Sequence, residues 1–177
     1  VHAAGDRSVR VTLDAIEYTR KVNGKSGLRH EIAHSGFIDP ADIPRFSELG
    51  AVADMSPAIW YPSTIVGSIV GAVGARGERY FPFKDLLEAG ADITAGSDLP
   101  AVLPDMNPWK GIEAMVTRRH PLEKYDGTLW LEQAITLEEA LRISTLGGAK
   151  ALKLEALSGS IEVGKLADMI VINQHIF

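Results

Sequence analysis

Apolar positions along this chain switch repeatedly between helical and strand spacing. Val9, Leu13 and Ile16 share one face of a helix that Ser8 can cap and that Gly24 and Gly27 end. Leu28 to His34 reads as a short strand. Asp39 and Pro40 open the next helix, as cap and first helical residue, and its buried stripe is Ile43, Phe46 and Leu49 before Gly50 stops it. Ala51 to Met55 is a strand of small residues. A glycine-rich stretch through Gly67, Gly71, Gly74 and Gly77 reads as an irregular, mobile loop over a pocket. Phe83 to Ala89 is a helix, Ala91 to Ser97 a strand, and Trp109 to Arg119 a helix. Thr136-Leu137-Glu138-Glu139 is a capping box that opens a helix running to about Leu152. Leu166 to Asn173 reads as a terminal strand.

Strands and helices alternating at this spacing predict βα units around a parallel sheet. Three clear strands and a fourth ending at His2 fit an α/β fold: half of a (β/α)₈ barrel, which in full takes about 250 residues. The chain has 177 residues and opens with Val-His-Ala-Ala-Gly-Asp rather than methionine, so it reads as a piece of a longer protein. It carries no cysteine, which removes disulfide scaffolds, thiolate nucleophiles and cysteine-held zinc. Any metal must be held by His, Asp or Glu. A net charge of -5 argues against a nucleic-acid partner. The longest apolar stretch, Ile65 to Ala75, is short and broken by glycine, which argues against a membrane partner, and no secretory signal precedes it. A cytoplasmic protein is the expectation.

The candidate chemistry sits at strand ends. In a strand, alternate residues share a face, so His30 and His34 are expected to point the same way, with His34 at the carboxyl end where barrel enzymes carry their sites. Asp92, Thr94, Gly96 and Asp98 share a face in the same manner, and Asp98 again falls at a carboxyl end. His2 takes the matching place on the first strand. Two imidazoles and a carboxylate there form a candidate site for a hydrolytic metal. A lone strand-end histidine is also a common surface residue, and Gly-Ser-Asp before Leu-Pro is also a simple turn.

The wording of the segments adds to the spacing. Val1-His2-Ala3-Ala4-Gly5-Asp6-Arg7-Ser8, then Arg29-His30-Glu31-Ile32-Ala33-His34, then Gly96-Ser97-Asp98-Leu99-Pro100 resembles the amidohydrolase superfamily in order and spacing. Within it, the chain looks like the amidohydrolase 3 group that includes N-substituted formamide deformylases. Asp39-Pro40-Ala41-Asp42-Ile43-Pro44-Arg45-Phe46 and Gly159-Ser160-Ile161-Glu162-Val163-Gly164-Lys165-Leu166-Ala167-Asp168 carry the resemblance further.

The resemblance implies the carboxyl-terminal half of a TIM barrel, strands five to eight, over residues 1–157. Residues 158–177 are then strands returning to a composite β-domain. It implies His2, His34 and Asp98 as ligands of a divalent metal, zinc first, one or two ions, with His34 alternatively steadying the attacking hydroxide. It further implies that Asp98 passes a proton from metal-activated water to the leaving amine while a small amide or formamide is cleaved at a non-peptide C–N bond. The group's strand-one His-x-His pair and strand-four lysine precede the first residue here, so the site is expected to be incomplete. Ala33 stands where the group usually has Glu, and neighbours of His34 are expected to face away from the pocket.

Other readings stay open at this point. The chain can be a non-catalytic fragment or pseudoenzyme of the same fold. It can also be a superfamily hydrolase or deaminase acting on another bond. The resemblance also implies that Ile170, Val171, Ile172 and Ile176 lack the cover of the missing part of the β-domain, so self-association or the missing amino-terminal half is the expected partner, besides a small-molecule substrate. Trp60, with Tyr61 and Trp109, is a candidate lining of an apolar substrate pocket, with packing the equal alternative. Gly24-Lys25-Ser26 lacks the upstream glycine and strand of a phosphate loop. Arg118-Arg119-His120 reads as a solvated helix end, and His175 as a surface residue.

Overall fold

A computed structural model describes residues 1–24, 27–56, 59–100 and 105–177. The Gly24-Lys25-Ser26 sequence therefore lies partly outside the described residues. Four strands, β1 (His2–Ala3), β2 (His30–His34), β3 (Ala51–Met55) and β4 (Asp92–Ala95), form one sheet in chain order, each parallel to its neighbour. The parallel α/β reading is thus what the chain adopts. β3 has the expected bounds, and the other two long strands are shorter than expected at one or both ends.

Helices connect the strands for reasons visible in the local sequence. In α1 (Asp6–Asn23), Ser8 Oγ accepts from the Gly5 amide at 3.1 Å and donates to the Gly5 carbonyl at 2.7 Å, so Ser8 caps from inside the first turn. Asp39 caps a 3₁₀ turn, Pro40–Asp42, through the Ala41 amide at 3.0 Å, and α2 (Ile43–Leu49) continues from it. Gly50 ends α2 in the left-handed conformation at φ 61°, which glycine adopts without a Cβ penalty. The stripe Val9, Leu13 and Ile16 is buried, and Ile43, Phe46 and Leu86 of α4 (Phe83–Glu88) join it against Ile32, Ala53 and Ile93. Those three strand residues lie in one register row, so that face of the sheet meets the helices.

Three expectations are corrected. The glycine-rich stretch is helical: Ser63 caps α3 (Thr64–Val73), and a 3₁₀ turn spans Gly74–Glu78, because its glycines interrupt an otherwise apolar helical run without breaking its backbone ladder. The terminal strand over 166–173 is not formed. A strand is held by hydrogen bonds to a neighbouring strand, and this segment pairs with none of the four. Arg118, at the end of α5 (Pro108–Thr117), is wholly buried and His120 nearly so, while Arg119 alone is solvated.

The capping box at Thr136 forms as expected, with the Glu139 amide donating to Thr136 Oγ1 at 3.2 Å and the Thr136 amide to Glu139 Oε2 at 2.8 Å. From it, α6 (Leu137–Arg142) passes through a π-helical turn, Ile143–Gly147, into α7 (Gly148–Ala151). A Cβ on Gly147 would stand 2.4 Å from the Ile93 carbonyl oxygen, so only glycine lets this turn lie against β4. Among the described residues no helix is long and apolar enough to cross a membrane.

Candidate metal centre

The sheet face opposite Ile32, Ala53 and Ile93 carries polar residues in register. His2, Ala33, Asp54 and Thr94 form one row across all four strands, and Glu31, Val52 and Asp92 form the row below it. Residues in register on adjacent strands share a face. Ala33 therefore lies beside His2 on this face, which corrects the expectation that it turns away.

His34 breaks the alternation, and the backbone shows how. His34 has φ 70° and Ser35 φ 46°, both in the left-handed region that side chains with a Cβ rarely enter. The turn swings the His34 ring off the side of Ile32 and onto His2. Their ring centroids lie 4.3 Å apart, edge to face at 72°. His30 and His34 consequently do not share a face as expected. Hydrogen bonds hold the turn: the Ser35 amide donates to the Ala3 carbonyl at 3.0 Å, and Ser35 Oγ to the Ile32 carbonyl at 3.0 Å.

Asp98 lies exposed beyond β4, also left-handed at φ 52°. Two imidazoles in contact are a suitable donor pair for a divalent ion. Among the described residues, no three His, Asp or Glu side chains stand together closely enough to hold one. The fit is that of a partial ligand set.

Asp54 was not among the residues singled out in the sequence, although the alternation of Ala51 to Met55 already placed it opposite the buried Ala53. Its carboxyl is half-buried and makes no hydrogen bond among the described residues. Burial pushes it above the usual carboxylate range and the charges of Glu31 and Asp98 add to this, while His34 and the chain's amino group act against it. Asp54 is thus within electrostatic reach of both His34 and Asp98.

Trp60 does not line the site. It is 0% exposed and packs on Phe83 and Phe81, with ring centroids 4.2 and 5.3 Å away, and the Arg118 guanidinium lies 5.6 Å from its ring centre. Tyr61 is likewise buried, against His120 at 4.5 Å. A large aromatic side chain in a loop buries more area in a core than at a pocket rim, and here packing wins.

A family model described as the amidohydrolase family matches residues 1–177. The chain belongs to this family. Among curated proteins, this chain is 32% identical over 174 residues to Protein LONG AFTER FAR-RED 3 of Arabidopsis thaliana, covering 98% of this chain and 29% of that protein. It is 27% identical over 177 residues to N-substituted formamide deformylase of Arthrobacter pascens, covering 98% of this chain and 31% of the enzyme. It therefore spans about a third of the length of these relatives. Among solved structures, an uncharacterized metal-dependent hydrolase from Pyrococcus horikoshii superposes with a TM-score of 0.76 at 24% identity, covering 98% of this chain and 33% of that one. That likeness is one of fold.

Proposed function

We propose that this amidohydrolase chain is the carboxyl-terminal half of a (β/α)₈ barrel, with β1 to β4 as barrel strands five to eight. In this reading the full protein is a metal-dependent hydrolase cleaving a non-peptide C–N bond of a small amide or formamide. Residues 1–157 belong to the barrel and 158–177 to a composite β-domain. The observation that carries the reading is the contact of His2 and His34 at the carboxyl ends of adjacent parallel strands. The family membership and the likeness to a formamide deformylase support the bond class.

His2 and His34 would hold a divalent ion, zinc first, with the remaining ligands coming from the rest of the barrel. Once bound, such an ion polarises a carbonyl and brings the pKa of water to about 7. Asp98 then accepts the proton of the attacking water on its carboxylate and returns it to the leaving amine, as general base and general acid in turn. Its exposed place beyond β4 leaves the carboxylate open to solvent.

A second reading, a non-catalytic member of the family, is favoured by the lack of a third ligand beside His2 and His34 among the described residues. Metal analysis and formamide hydrolysis by the full-length protein separate the two. The catalytic reading expects one or two equivalents of zinc in the wild type. It also expects D98N to lower kcat by about 10²–10⁴-fold. A full-length protein that binds no divalent ion sinks the catalytic reading.

A further inference from the structure

Among the described residues, Arg118 is a buried cation without a counter-charge. It is 0% exposed, and among the described residues no carboxylate pairs with it and its Nη1 has no hydrogen-bond partner. Burial draws its pKa down to about 10. A buried charge held this way is costly, and an apolar side chain of similar size would pack there at least as well. What the guanidinium does instead is grip backbone: Nε donates to the Leu129 carbonyl and Nη2 to the Tyr80 carbonyl, each at 2.8 Å.

Tyr80 and Phe81 lead directly to the candidate metal centre. The Phe81 amide donates to the Gly36 carbonyl at 2.8 Å. The Tyr80 ring lies so close to Gly36 that a Cβ there would stand 2.3 Å from it. Gly36 is the residue that follows the His34–Ser35 turn. Backbone strain is spread along the same path: His34, Ser35, Phe81 and Arg118 are all left-handed, at φ 70°, 46°, 64° and 56°. Such conformations persist only where the surroundings over-determine them, and they gather at functional sites.

We propose that Arg118 is a positioning residue for the metal centre: by gripping the Tyr80 carbonyl it fixes the Tyr80–Phe81 segment, which in turn holds the His34–Ser35–Gly36 turn so that His34 faces His2. The inference rests on the reading that His2 and His34 are metal ligands. Groups that orient a ligand typically change metal affinity about 10–100-fold when altered.

The test uses the full-length protein labelled with ¹⁵N-histidine, titrated with zinc alone. R118M is expected to move the His34 and His2 imidazole resonances in the metal-free protein while leaving His30, at the other end of β2, in place. Zinc affinity should fall about 10–100-fold, with R118K restoring only part, since one ammonium cannot span two carbonyls. G36A disturbs the same link from its other end, so the R118M/G36A pair should lose no more affinity than the worse single variant. Asp42→Ala, remote from this path, should leave zinc affinity unchanged. Zinc affinity within twofold of wild type and unmoved His34 resonances in R118M overturn the proposal. If R118M does not fold, R118K and G36A decide by the same two readouts. If the wild type binds no zinc, the functional reading fails, and the metal-free resonances alone uphold or overturn the positioning role.

Discussion

Asp54 shows how one side chain records the character of a whole sheet face. Its carboxyl sits in the row with His2, Ala33 and Thr94, and its pKa is raised chiefly by burial. A raised folded-state pKa means that the native state binds the proton more tightly than the unfolded chain. The associated stability is present in full below the unfolded value and is lost as pH rises through the folded value. Asn at this position removes the titration. In the metal-free protein, Asp54→Asn should match the wild type in urea midpoint near pH 3.5 and exceed it near pH 7. A difference that does not grow with pH would show that Asp54 is as solvated in the fold as in the unfolded chain. Alternation in Ala51 to Met55 made the direction of this side chain legible beforehand. The His34 turn was not legible, because a left-handed backbone at a histidine leaves no mark in a hydrophobic pattern.

At the scale of elements, local capping signals were the most faithful guide. Asp39, Gly50 and Thr136 each do in the fold what their residue type does in any helix terminus. What local signals missed are features set by tertiary contact, such as the burial of Arg118 and Trp60, whose partners lie far away in sequence. The joint between α1 and α2 is of that kind. Asp42, with its side chain 3% exposed, accepts from Arg10 Nε at 2.8 Å and Arg45 Nη1 at 2.9 Å. Arg45 also reaches Asp14 and Glu17 of α1, each at 2.7 Å. Removing one partner of a buried ion pair leaves the other charge unsatisfied, at about 3–5 kcal/mol. Here both arginines keep other acidic neighbours, so Asp42→Ala should lower unfolding free energy by about 2–3 kcal/mol in urea titrations. A loss below about 0.5 kcal/mol would place this joint with ordinary surface ion pairs.

For the molecule as a whole, the alternation of strand and helix was enough to predict four parallel strands, because a parallel neighbour requires a crossover and the chain supplies a helix each time. The tail differs from its pattern for the converse reason: a strand-like pattern becomes a strand only when it pairs with another strand, and residues 166–173 pair with none. Ile170 and Val171 are instead largely exposed, with Val171 at 99%. The segment leading to the tail is nevertheless anchored under the sheet. Arg29, just ahead of β2, binds both the Lys150 carbonyl and the Glu155 carboxylate, and Lys150 in turn reaches Asp92 of β4 at 3.1 Å. Arg29 holds the Glu155 carboxyl down at about 2, well below its ordinary 4.5. A depressed folded-state pKa contributes stability that is present above the unfolded value and is lost as pH falls through the folded one. Acidification from about pH 4.5 to 2 should therefore release residues 152–157 ahead of the sheet, read as faster amide exchange there. Glu155→Gln should show that faster exchange already at neutral pH and little further change over the same window. If the glutamine variant retains the acid response of the wild type, another carboxylate anchors the tail, and the Arg29–Glu155 pair is a surface contact with no hold on it.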